Sequence, residues 1–207
     1  MIITRRNFTL GLTAGLGLAS CGTTMPGIPS AASGGLPDDL RPVPNAGWSQ
    51  WVASFRDRAG AQGISDSTLN AGFRGAGYLP GVVKRDRNQT EFSRTLEDYL
   101  AIAASDERVT KGRAAYARHG STLNALEAKY GVDSTIICAI WGLESFFGER
   151  KGDVPVVSAT STLAYDGRRG EFFEKQLVAA LKIVQNGDIA ADRMVGSWAG
   201  AMGHTQF

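Results

Sequence analysis

Cysteine and histidine are scarce in this 207-residue chain, two of each. Two cysteines make no disulfide framework, and they keep different company. Cys21 ends a Gly-rich apolar stretch, whereas Cys138 lies inside Thr135-Ile136-Ile137-Cys138-Ala139-Ile140 and reads as a small buried hydrophobe. Neither His119 nor His204 stands in a cluster with Cys or acidic residues, so no metal and no cofactor is expected. An excess of one charge sign is missing too. Lys and Arg number 22 against 20 Asp and Glu, and without the first twenty residues, which hold Arg5 and Arg6 and no acid, the balance is 20 against 20. That excludes the extended basic surface of a nucleic-acid binder, and no nucleic-acid partner is expected. No apolar run reaches the roughly 20 residues of a membrane-spanning helix. No internal repeat is visible, and no segment alternates polar and apolar residues as a half-buried strand does. With 43% apolar and 20% charged residues, the composition is that of an ordinary globular protein, which excludes collagen, coiled coil and a largely disordered chain.

The N-terminus reads as an address. Residues 1–21 combine a basic head, a weakly apolar Gly-rich stretch and small residues at the end, the anatomy of an export signal. Thr4-Arg5-Arg6-Asn7-Phe8 is similar to the twin-arginine motif, although Thr9-Leu10 depart from its usual ending. Leu18-Ala19-Ser20-Cys21 resembles a bacterial lipobox, in which Cys21 would be acylated and become the new N-terminus. Residues 22–46 hold Gly22, Pro26, Gly27, Pro29, Gly34, Gly35, Pro37, Pro42 and Pro44 among serines, and read as a flexible tether. A lipid anchor with a spacer would hold the following domain near a membrane while letting it reach its target.

From residue 47 the pattern is helical, and the fold class expected is mainly α. Trp48, Trp51, Val52 and Phe55 follow three-four spacing. Gly60 and Gly63 end that helix, Ser65-Asp66 can cap a short one running through Phe73, and Gly75, Gly77, Pro80 and Gly81 read as a loop. Further helices are expected over Glu91–Ala104, Asp106–His119 and Thr122–Tyr130, with Gly131 as the left-handed C-terminal residue of the last. Ser134 can cap the next helix, and Phe172–Gln185 is amphipathic.

Residues 134–148 carry the chemistry. Winding them at about 3.6 residues per turn puts Glu144 on one face with Ile137, Ile140, Trp141 and Phe147. The opposite side is apolar as well, so the helix is expected at the centre of the core. A carboxylate buried there without a partner is costly and tends to keep its proton, which makes Glu144 a candidate general acid. The competing reading is a buried ion pair with Arg168 or Arg169. Glu149, Asp153, Asp166 and Glu171 could each supply a second carboxylate, but all sit among polar or glycine neighbours and none stands out.

Ala139-Ile140-Trp141-Gly142-Leu143-Glu144-Ser145-Phe146-Phe147-Gly148 resembles the catalytic segment of the B-type lytic murein transglycosylases, a lysozyme-like family acting on peptidoglycan. Ser161-Thr162-Leu163-Ala164-Tyr165, Arg168-Arg169 and Glu171-Phe172-Phe173 recur in that order in the family, and Gly196 to Phe207 is similar to its most recognisable block. The resemblance implies a lysozyme-like helical domain over 47–207 with one catalytic acid, carried over to Glu144. It implies cleavage of the β-1,4 bond between N-acetylmuramic acid and N-acetylglucosamine with closure of a 1,6-anhydro ring. Ser197 and Gln206 match positions that contact the acid or the sugar, and Phe207 matches an aromatic wall of the cleft. Arg168 and Arg169 match positions that hold the anionic peptide stem, and Tyr99 falls where a cleft tyrosine is expected. Other readings stay open: a cap for Ser197, core packing for Phe207, a solvated surface pair for the arginines. Family members continue past the block that ends here at Phe207, so the helical domain is expected to be incomplete at its C-terminus. The partners implied are glycan strands with their peptide stems and, through Cys21, a membrane. The expected setting is the periplasm, at the outer membrane, as a monomer. Two alternatives share the substrate: a wall-binding lipoprotein without turnover, and a muramidase that uses water.

Overall fold

The computed structural model describes residues 35–88 and 95–206. The export signal, Cys21, the first part of the tether and Phe207 lie outside the described residues. Among those described, eight α-helices carry the fold: α1 (Ala46–Ala61), α2 (Asp66–Gly72), α3 (Pro80–Arg87), α4 (Leu96–Ala103), α5 (Asp106–Tyr130), α6 (Ser134–Ser145), α7 (Val156–Asp166) and α8 (Gly170–Gln185). Two short antiparallel strands, β1 (Val154–Pro155) and β2 (Val195–Gly196), pair Val154 with Gly196 and Pro155 with Val195. The chain is mainly α, as the missing alternation implies. None of the described helices is long and apolar enough to cross a membrane.

Local chemistry explains most boundaries. Asn45 caps α1 by accepting the Trp48 N–H (2.9 Å), and Ser65 caps α2 by accepting that of Thr68 (3.3 Å). The expected loop around Pro80 is partly a helix. Pro80 opens α3 at its first position, where the missing N–H costs nothing. The helices expected on either side of Gly120 are one, because a single half-buried glycine costs a 25-residue helix only about 1 kcal/mol. Its left-handed end falls on Gly131 as expected (φ 69°). Asp133, one residue before the cap expected at Ser134, takes the Thr135 N–H (2.7 Å) at the start of α6.

The end of the stretch read as a tether is packed. A 3-10 turn over Asp38–Leu40 buries Leu40, Leu36 packs beside it, and Val43 bridges to Tyr78. Leu36 and Leu40, four residues apart, supply the contact that the prolines obscure.

The centre of the core is α7, not α6. Every residue of α7 from Val156 to Ala164 is buried, including Ser158, Thr160, Ser161 and Thr162. Val156 and Val157 join a cluster with Phe55, Leu69, Leu177 and Leu181, while Ala159 and Leu163 join a second with Leu79, Val82 and Phe173. The hydroxyls are used. Ser158 Oγ accepts the Gly77 N–H (3.2 Å), Thr162 Oγ1 that of Leu79 (3.1 Å), and Ser161 Oγ the Trp48 indole N–H (3.2 Å). A buried helix so rich in Ser and Thr serves as a hydrogen-bonding spine for the loop that threads past it.

Candidate active site

Helix α6 packs on α5 through small residues. Ser134, Cys138, Gly142 and Ser145 are its buried positions, recurring at three-to-four spacing. The Phe147 ring folds back against Gly142 and Gly112, where an added Cβ would meet it. The stripe that holds Glu144 is therefore the other face. Ile140 is 48% and Leu143 46% exposed, and Glu144 itself is exposed. The expectation of a carboxyl buried in the core is overturned, because helix contact runs through the small residues and turns the large ones outward. Neither is Glu144 in an ion pair with Arg168 or Arg169 among the described residues.

Just beyond Glu144 the backbone makes a strained turn. Phe146 (φ 52°) and Phe147 (φ 59°) both adopt left-handed backbone, about 1–2 kcal/mol of cost for each side chain. The surroundings hold them there. Phe146 is buried and boxed by cations, with the Arg150 guanidinium 4.1 Å, Lys111 Nζ 4.8 Å and the Arg108 guanidinium 5.4 Å from its ring centre. Lys111 also pairs with Glu149 (2.5 Å), tying the turn to α5. Ser145 is fully buried. Its Oγ donates to the His204 carbonyl (2.6 Å) and accepts the Gly148 N–H (3.1 Å). One turn back, Trp141 Nε1 donates to His204 Nδ1 (3.0 Å). The end of the Glu144 helix is thus fastened to the 196–206 segment.

That segment is a tight hairpin. Gly196 bridges to Met202, and Ser197 Oγ accepts the N–H groups of Ala199 (3.3 Å) and Ala201 (3.1 Å). Ser197 caps this hairpin, not a helix. Gln206, also left-handed (φ 59°), donates through Nε2 to the carbonyls of Lys151 (3.2 Å) and Gly203 (2.9 Å). It lines a cavity of about 400 Å³ between the hairpin and helices α7 and α8. Tyr99, 49% exposed on α4, lines a groove of about 510 Å³ with Leu143 and Phe147, which flank Glu144 in the chain.

Arg168 and Arg169 are committed to a third group. Asp86, 3% exposed, accepts two hydrogen bonds from Arg168 (2.5 and 2.6 Å) and one from Arg169 (3.1 Å). The Arg168 guanidinium foremost, and Arg169 beside it, hold the Asp86 carboxyl below the usual carboxylate range against its burial. Arg169 also lies over the rings of Phe173 (4.8 Å) and Phe172 (5.7 Å). Both arginines keep nearly half their side-chain surface open, 46% and 44%. Asp86 was missed because Lys84-Arg85-Asp86-Arg87 reads as a solvated charge run. His204 was missed because a lone histidine in a Gly-rich stretch carries no signal without its partners. Among the described residues, no group of three His, Cys, Asp or Glu could hold a metal ion.

The family described as Transglycosylase SLT domain matches residues 47–207. Membrane-bound lytic murein transglycosylase B of Escherichia coli (strain K12) is 31% identical over 102 residues, which are 49% of this chain and 28% of that protein. SltB3 from Pseudomonas aeruginosa, solved in complex with NAG-NAM-pentapeptide and with NAG-anhNAM-pentapeptide, is 46% identical with a TM-score of 0.75. The similarity covers 79% of this chain and 44% of that one. The soluble lytic transglycosylase SltB1 from the same organism is 31% identical, with a TM-score of 0.70 over 76% of this chain and 54% of its own. The chain thus spans about half the length of these solved relatives and less of the curated one. The fold is the lysozyme-like helical fold that they share. With the family matched from Gly47 to the last residue, the chain belongs to the SLT-domain transglycosylases, in the group of the B-type lytic murein enzymes.

Proposed function

We propose that this chain carries the catalytic acid of a peptidoglycan lytic transglycosylase and that Glu144 is that acid. The observation that carries the reading is the fastening of the Glu144 helix to the hairpin block 196–206, within a chain that the SLT family matches over 47–207. Glu144 protonates the glycosidic oxygen between N-acetylmuramic acid and N-acetylglucosamine. As a carboxylate it then takes the proton from the muramoyl C6 hydroxyl, which attacks C1 and closes the 1,6-anhydro ring. Water is not consumed. The neighbouring N-acetyl group can support the developing positive charge, so a second carboxylate is not required.

The remaining roles belong to the same reading. Tyr99, in the groove beside Leu143, and Gln206, in the cavity under the hairpin, are the residues assigned to contact the glycan, Ser197 shapes that hairpin, and Phe207 takes its aromatic role from the family resemblance alone. Arg168 and Arg169, prealigned by Asp86, offer their open edges to the carboxylates of the peptide stem. The N-terminal signal exports the chain and the acylated Cys21 anchors it at the outer membrane, where it works as a monomer. A wall-binding role without turnover is the second reading, favoured by the exposure of Glu144. Incubating purified sacculi with the chain and with Glu144→Gln, and analysing soluble products by mass spectrometry, separates the two. Anhydromuropeptides from the wild type alone support the lytic reading; reducing-end muropeptides mean a hydrolase; retained binding with no soluble product means the wall-binding protein.

A further inference from the structure

Both histidines of the chain converge on one ring. His204 lies against Trp141 with centroids 5.7 Å apart and accepts its indole N–H on Nδ1, while His119 meets the same ring edge-on at 5.3 Å. Trp141 is one turn before Glu144. The residue after Glu144, Ser145, donates to the backbone carbonyl of the same His204. The imidazole also covers Gly148, left-handed at φ 86°, where a Cβ would overlap it. His204 therefore touches the chain before, just after and four residues beyond Glu144.

We infer that His204 is a positioning residue for the reaction proposed above, a clamp that fixes the last turn of α6, and with it Glu144, against the 196–206 hairpin. The inference rests on that lytic reading for its catalytic consequence but not for its geometry. Accepting from Trp141 requires an unprotonated Nδ1, so the proton of the neutral ring is on Nε2. The clamp is built of a side-chain acceptor and a backbone acceptor from one residue. A substitution that keeps a ring but removes the acceptor should free the indole while leaving Ser145 held. The strained Phe146–Phe147 turn then has one fastening fewer, and the backbone that carries Glu144 is held less tightly.

Two variants test it. His204→Phe preserves an aromatic ring over Gly148 without an acceptor, and His204→Asn places an amide oxygen near the position of Nδ1. The Trp141 indole ¹H–¹⁵N cross-peak, assigned by its loss in Trp141→Phe, reports the hydrogen bond in the full chain whether or not the chain turns over. The expected result is an upfield indole shift in the Phe variant and a near wild-type position in the Asn variant. For release of anhydromuropeptides, kcat should fall about 100-fold in the Phe variant with KM held within about twofold, and largely recover in the Asn variant. An indole peak unmoved in His204→Phe, or a kcat equally low in both variants, overturns the clamp. A wild type that releases no product refutes the lytic reading and the catalytic consequence with it, while the indole peak still decides the geometry.

Discussion

Replacing Asp86 by Asn removes the charge that joins α3 to the turn between α7 and α8. Asp86 is nearly fully buried and accepts three hydrogen bonds from two guanidiniums. Removing one partner of a buried ion pair costs about 3–5 kcal/mol when the other is stranded. Here the arginines are close to half exposed and rehydrate, so the loss reduces to that of the charge-assisted bonds, about 2 kcal/mol in all. For a folded region of this size that lowers Tm by about 4–8 °C. The pH dependence has a fixed sign. Arg168 first, then Arg169, depress the Asp86 carboxyl, so on acidification the folded state takes up its proton later than the unfolded chain. The contribution is fully present above the unfolded value of about 4 and is lost as pH falls through the lower folded value. Urea unfolding followed by circular dichroism at pH 7 and down to pH 3 measures both parts. Asp86→Asn should be less stable at pH 7 and should show a shallower acid decline than the wild type. Equal stability at pH 7, within about 0.5 kcal/mol, or an unchanged acid decline would refute the reasoning.

Two further predictions concern the core. Thr162→Val strands the buried Leu79 N–H at the centre of the molecule, and urea unfolding should show a loss of about 1–3 kcal/mol despite the near-equal volume; an effect near zero would mean that the loop does not depend on the α7 hydroxyls. Burial pushes the Cys138 thiol up, so in a Cys21→Ser background it should react with a disulfide reagent at pH 7 far more slowly than in denaturant, and equal rates would place it at the surface.

Sequence periodicity located α1, α2, α8 and the Gly131 end of α5 because each has an apolar stripe or a cap with a local cause. It failed at α7, where Ser158, Ser161 and Thr162 are buried against partners 80 or more residues away that leave no local trace. It misplaced α6 for the opposite reason. Large apolar residues mark a face as buried only if something covers it, whereas Cys138, Gly142 and Ser145 are what the fold buries. For the site, helical winding and the family resemblance singled out Glu144, which lies at the end of α6, but not in the buried stripe expected for it. The Asp86 cradle under Arg168 and Arg169 and the His204 fastening were not legible, since each joins residues distant in sequence that only the folded chain brings together.

The central claim is that Glu144 closes an anhydro ring without water. Digesting purified sacculi in H₂¹⁸O with the wild type and with Glu144→Gln, and then analysing the new chain ends by mass spectrometry, tests it directly. The account predicts anhydromuramoyl ends free of ¹⁸O from the wild type and none from the variant. Reducing ends carrying ¹⁸O, or equal release by Glu144→Gln, would contradict it.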